Sequence, residues 1–162
     1  MSAQSYKKYT DEDTKELIYK GKMTFADLQK EPEFKWYRDG VSSYTPNAEE
    51  ISTLKPVLKN YTFVVIVGTW CSDTHDILPK FRKVLQACNY PAEKVTMYGV
   101  DIEKKSLNKE EEKYHLKHVP TIIVYKDGFE VSRIVESLNF DSVEADLVHI
   151  IFEESSDDSS GE

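Results

Sequence analysis

Residues 68–81 read GTWCSDTHDILPKF and place one thiol, Cys71, between an apolar run and the start of a helical pattern. The thiolate is the reactive form of cysteine. At a helix start it faces unpaired amides and the positive end of the helix dipole, which favour the anion. Cys71 is therefore a candidate nucleophile toward a sulfur. Thr74, three residues on and on the same helical face, can offer that thiolate a hydroxyl. Asp73 acts in the other direction, because a nearby carboxylate disfavours a second negative charge even though it suits the dipole. His75 adds an imidazole that can move a proton or pair with the thiolate. Each has a bland alternative: an inert buried thiol, a capping threonine, a solvated histidine.

Cys88 falls in phase with the apolar stripe Ile77, Leu78, Phe81, Val84 and Leu85, which makes it a core residue. Read on one helix, the two cysteines lie about 25 Å apart along the axis, well beyond the roughly 7 Å a disulfide spans. They cannot bridge within one chain. His115 and His118, near Pro120, would give Cys71 at most two companions, short of the four ligands a structural zinc site takes. No metal and no cofactor is expected.

The elements that must position these groups follow from hydrophobic pattern. TFVVIVG, from Thr62, is a continuous β-branched run, as in a strand buried on both faces. The helix after it carries Pro79, which removes one hydrogen bond and bends it. VTMYGVDI at 95–102 is a second strand, so strand, helix and strand predict a parallel right-handed crossover. A charged helical stretch follows near 106–116. Two strands then meet at Lys126-Asp127-Gly128, a hairpin signal, and a last helix is expected over about 141–152. Residues 1–60 read as a polar helical extension with starts at Thr10, Thr24 and Asn47, each with an acid three residues later. Between the last two starts lies EFKWYRDGVSSYTP, expected to be a loop pinned by Trp36, Tyr37 and Tyr44. No internal repeat is visible.

This order over residues 61–152 resembles the thioredoxin fold, an α/β fold with a central mixed sheet of four to five strands flanked by helices. Trp70-Cys71 resembles the family's Trp-Cys pair, Pro79 its kinking proline, and Val119-Pro120-Thr121 its cis-proline segment. Lys126-Asp127-Gly128 resembles the turn that follows that segment. The resemblance implies that Val119 offers main-chain groups to an extended substrate beside the nucleophile, in a strand-addition mode. It also implies that Trp70 flanks the thiol as an apolar wall and that Ser72, Asp73 and Pro120 line the substrate site. Two departures stand out. The usual Cys-x-x-Cys is here Cys71-Ser72-Asp73-Thr74, and the family's buried acid and nearby lysine would fall at Val65 and Met97.

The expected function is that of a thiol-disulfide oxidoreductase acting through one cysteine and a mixed disulfide that an external thiol resolves. The alternative is a non-catalytic peptide-binding or chaperone-like module of the same fold. A glutathione-binding or iron-sulfur role ranks last, since the glycine-rich companions of such motifs are missing. Partners are then protein or small-molecule thiols and disulfides. With a net charge of −8 and no basic stripe, nucleic acid and anionic membranes are not expected partners. Five acids and no base in EESSDDSSGE, residues 153–162, predict a solvated, disordered tail. The opening MSAQSYKK has no charged-then-apolar leader, so a cytoplasmic location is expected, with an exported one as the alternative if a leader is removed.

Overall fold

The chain folds around one six-stranded sheet. The computed structural model describes the backbone of residues 5–160 and side chains through Glu153. Strand order is β1 (Tyr6–Thr10), β2 (Leu17–Met23), β4 (Val95–Gly99), β3 (Thr62–Val67), β5 (Thr121–Lys126) and β6 (Phe129–Val135). Only β3 and β4 run parallel, joined through α4 (Ser72–Ala87). The remaining pairs are antiparallel.

The continuous apolar reading of β3 is explained by its position between β4 and β5. Phe63, Val65 and Val67 face one side with Met97, Ile122 and Val124, and meet Ile77, Leu78, Phe81, Val84 and Leu85 of α4. Val143, Leu147 and Ile151 of α6 (Val143–Ser160) complete that core. Each such side chain contributes about 1.5–3 kcal/mol when buried. The other face holds a smaller cluster of Ile66, Val100 and Val119, under Tyr114 and Leu116 beside the short α5 (Glu110–Lys113). That single turn replaces the longer helix expected near 106–116. Asp101 folds the preceding chain back by accepting the Glu103 and Lys105 amides.

Residues 5–23 depart most from expectation. They form the β1–β2 hairpin rather than a helix, which raises the sheet to six strands. Thr10 and Asp13 cap no helix; the Asp11 carboxylate accepts the Asp13 and Thr14 amides at the hairpin turn. Asp and Thr serve caps and turns equally, so local chemistry does not separate the two. What decides is β2 pairing with β4, where Gly21 to Met23 lie opposite Gly99 to Met97. A side chain on Gly99 would overlap the Tyr19 carbonyl, so glycine is what admits β2.

The other two helix starts form as read. Thr24 opens α1 (Phe25–Lys30) with a reciprocal capping box to Asp27, and Asn47 opens α3 (Ala48–Leu54) by accepting the Glu50 amide. The aromatic stretch between them is not a loop but α2 (Lys35–Ser43), which has no side-chain cap. It is held by packing: a Cβ on Gly40 would stand 2.6 Å from Pro79 Cβ, so α2 lies directly on the bend of α4. Tyr44 and the Asn47 amide both bond the buried Glu144 carboxylate at 2.7 Å, which fastens α3 to α6. The acidic-tail expectation falls on residues 153–162, of which all but the Glu153 side chain and the helical backbone to Ser160 lie outside the described residues. No described helix is long and apolar enough to cross a membrane.

Gly99→Ala should cost about 1–3 kcal/mol, the range for overpacking, and lower Tm by several degrees in calorimetry. Gly128→Ala meets open space at a positive φ of +83° and should cost about 1 kcal/mol, from backbone strain alone. Equal effects of the two would show that the hairpin does not depend on the Gly99 approach.

Candidate functional site

Cys71 is the N-cap residue of α4, with extended backbone and no side-chain capping bond. Its amide donates to the Gly68 carbonyl at 2.9 Å, and its carbonyl accepts the His75 amide at 3.0 Å. The sulfur is half-buried, packed against the Ile66, Val100 and Val119 cluster. Sγ lies 3.7 Å from the Val119 carbonyl oxygen. The Val119–Pro120 peptide bond is cis, and both residues are buried. The sulfur at the start of α4 and the backbone before Pro120 therefore meet, 48 residues apart in sequence.

The neighbours divide clearly. Trp70 is half-buried; its indole nitrogen donates to the Val100 carbonyl at 2.8 Å, and its ring covers Gly68. The indole is thus fixed beside the sulfur. Ser72 and Asp73 are exposed. Thr74 is fully buried, and its hydroxyl oxygen accepts the Gly68 amide at 3.2 Å. That bond closes the loop from β3 into α4 and uses a lone pair of Oγ1, so its proton is not committed there. His75 turns away from the sulfur. Its Nε2 lies 2.6 Å from the Thr69 carbonyl, which makes that nitrogen the protonated one. The ring stacks on Trp36 of α2 at 4.2 Å. His115 and His118 are exposed, and His118 approaches Glu136 at 3.8 Å.

Behind the motif the sheet is apolar. Val65 and Met97 are register partners on β3 and β4 and are 0% and 1% exposed. Neither carries a proton that chemistry at Cys71 could use. Cys88 caps the far end of α4 and is 6% exposed; burial pushes its thiol up. It is a core residue.

Thr69 was not singled out by sequence reasoning, and Trp36 was expected only to pin a loop. The Thr69 hydroxyl donates to the Leu17 carbonyl at 2.9 Å and accepts the Tyr19 amide at 3.2 Å. One side chain thus ties the loop before Cys71 to the N-terminal hairpin. No local signal marks it, because the hairpin was itself read as helix.

A family model described as thioredoxin matches residues 53–149. Among solved structures, a protein of unknown function from Pseudomonas aeruginosa is 12% identical, covers 84% of each chain and superposes with a TM-score of 0.53. An HIV epitope-scaffold protein is 13% identical over 82% of this chain and 84% of its own, with a TM-score of 0.51. Reduced thioredoxin pre-protein from Schistosoma mansoni is 25% identical over 66% of this chain and 90% of its own, with a TM-score of 0.41.

Thr69→Val should orphan the Leu17 carbonyl and the Tyr19 amide, both buried, at about 1–3 kcal/mol, and should speed hydrogen exchange at Tyr19. Thr69→Ser should retain most of the stability. A valine variant with an unchanged urea midpoint would show that the bridge carries no weight.

Proposed function

The chain belongs to the thioredoxin family, and from that premise we propose that it exchanges thiols and disulfides through Cys71 alone. The observation that supports this reading is the Cys71 sulfur, half-exposed at the start of α4 and 3.7 Å from the Val119 carbonyl. An extended peptide lying along Val119 would present its sulfur at that point by strand addition.

The Cys71 thiolate attacks one sulfur of a substrate disulfide. A new Cys71–sulfur bond forms, the substrate S–S bond breaks, and the displaced thiolate takes a proton from water. A first external thiolate then attacks the substrate sulfur of the mixed disulfide, regenerates the Cys71 thiolate and carries the substrate sulfur away as a new disulfide. A second equivalent of external thiol reduces that disulfide. The net result is two thiols oxidised and one substrate disulfide reduced, with no cofactor.

Each neighbour has a role in this scheme. Thr74, whose Oγ1 accepts the Gly68 amide, keeps a hydroxyl proton to offer the sulfur. Trp70 walls the sulfur on one side, and exposed Ser72 and Asp73 meet the substrate together with Val119 and Pro120. His75, bonded to Thr69, acts on the corner that holds Cys71 rather than on the sulfur itself. The proton for the leaving thiolate comes from solvent, since Val65 and Met97 supply none. That dry pair is also what favours the second reading, a peptide-binding module without turnover.

The test uses the Cys88→Ser protein, oxidised glutathione and mass spectrometry. A single glutathione adduct on Cys71 should form faster than in a urea-unfolded control and should be released by excess glutathione. Cys71→Ser should form none, and Thr74→Val should slow formation about tenfold. A Cys71 that reacts no faster folded than unfolded would favour the binding module.

A further inference from the structure

A cavity of about 680 Å³ opens between β2, α1, β4 and the second half of α4, within the volume range of small-molecule sites. It is remote from Cys71: Arg82, on its wall, lies eleven residues further along α4, about 16 Å at helical rise. Met23, Met97 and Val95 line it from the sheet, Phe25 from α1 and Tyr37 from α2.

One wall is a stack. The Phe25 and Tyr37 rings lie 17° from parallel with centroids 6.5 Å apart, and the Arg82 guanidinium sits 4.9 Å from the Phe25 centroid. Arg82 is half-buried, and no described carboxylate lies within ion-pair distance of it. The half-buried guanidinium lies with its face on the Phe25 ring, hydrogen-bonds the Tyr37 hydroxyl, and keeps its other N–H groups for a planar, two-oxygen acceptor. Tyr37 stands beside it. Burial pushes the Tyr37 hydroxyl up to about 12, with Arg82 opposing, so the hydroxyl stays protonated at neutral pH and able to donate. Exposed Lys22 adds a second cation to the lining, and exposed Glu93 is its one acid. The two methionines give an apolar floor that adapts to shape.

We propose that this cavity binds a small amphiphilic monocarboxylate, with its two oxygens on Arg82 and Tyr37 and its apolar body on Phe25, Met23 and Met97. The charge of the wall asks for a single anion. The floor of Met23, Met97 and Val95 asks for a hydrocarbon body, and the uncharged polar side chains of the lining besides Tyr37 are Thr24, Gln29, Gln86 and Thr96.

The full chain, labelled with nitrogen-15, is titrated separately with sodium octanoate and with octan-1-ol, the same apolar body without the charge. Octanoate should produce saturable shifts centred on Met23, Ala26 and Met97 and bind at least about tenfold more tightly than octanol. Arg82→Gln should bring octanoate down to the octanol level and leave octanol binding and Cys71 glutathione exchange as they were. Ala92→Phe, which fills the cavity from its edge, should abolish both titrations with the rest of the spectrum intact, and it decides the matter if the Arg82 variant unfolds. Equal affinity for acid and alcohol, shifts scattered over the surface, no saturable binding, or an Ala92→Phe protein that still binds octanoate would each overturn the proposal. None of these outcomes depends on whether Cys71 turns over.

Discussion

The position of the corner that carries Cys71 depends on one hydroxyl. Thr69 bonds both a carbonyl and an amide of β2 and, through its own carbonyl, receives His75 from the first turn of α4. These groups are buried or partly buried, so no water replaces the bonds cheaply. The loop from β3 into α4 is thus gripped from the hairpin on one side and from the helix on the other. Cys71 follows two residues later and inherits that rigidity. A nucleophile benefits from being held by neighbours whose own geometry is satisfied.

Layering of the fold explains why the N-terminal segment is needed. Side chains from α1, α2, α3, α4 and α6 all join the core on one sheet face, while the opposite face carries α5 and loops. Two extra strands widen the sheet, and α2 covers α4 at its proline bend, where Gly40 allows close approach. Trp36 of α2 then reaches the His75 ring, which brings the extension to within one residue contact of the motif helix. The extension is thereby part of the same packed body as the motif, joined by strand pairing, ring stacking and the Glu144 bonds.

The chemistry available at the corner is narrow. The proposed exchange has one sulfur, one buried hydroxyl and a carbonyl at 3.7 Å to work with. A dry Val65–Met97 pair behind them leaves proton supply to the solvent side. Cys88 is buried at the other end of α4, away from this corner.

Much of this was legible in the residues. Uninterrupted β-branched runs identify the central strands because burial on both faces needs no alternation, and a lone cysteine before a helical stripe marks the start of α4. The capping box at Thr24 and the side-chain cap at Asn47 are local, so they read correctly. The hairpin and α2 were not legible, since Asp-Thr turns imitate caps and an aromatic stretch without a cap becomes helical only when a partner surface is present. The meeting of Cys71 with Val119, the bridge at Thr69 and the Arg82 stack join residues far apart in sequence. Only closure of the chain decides which of them come within bonding distance.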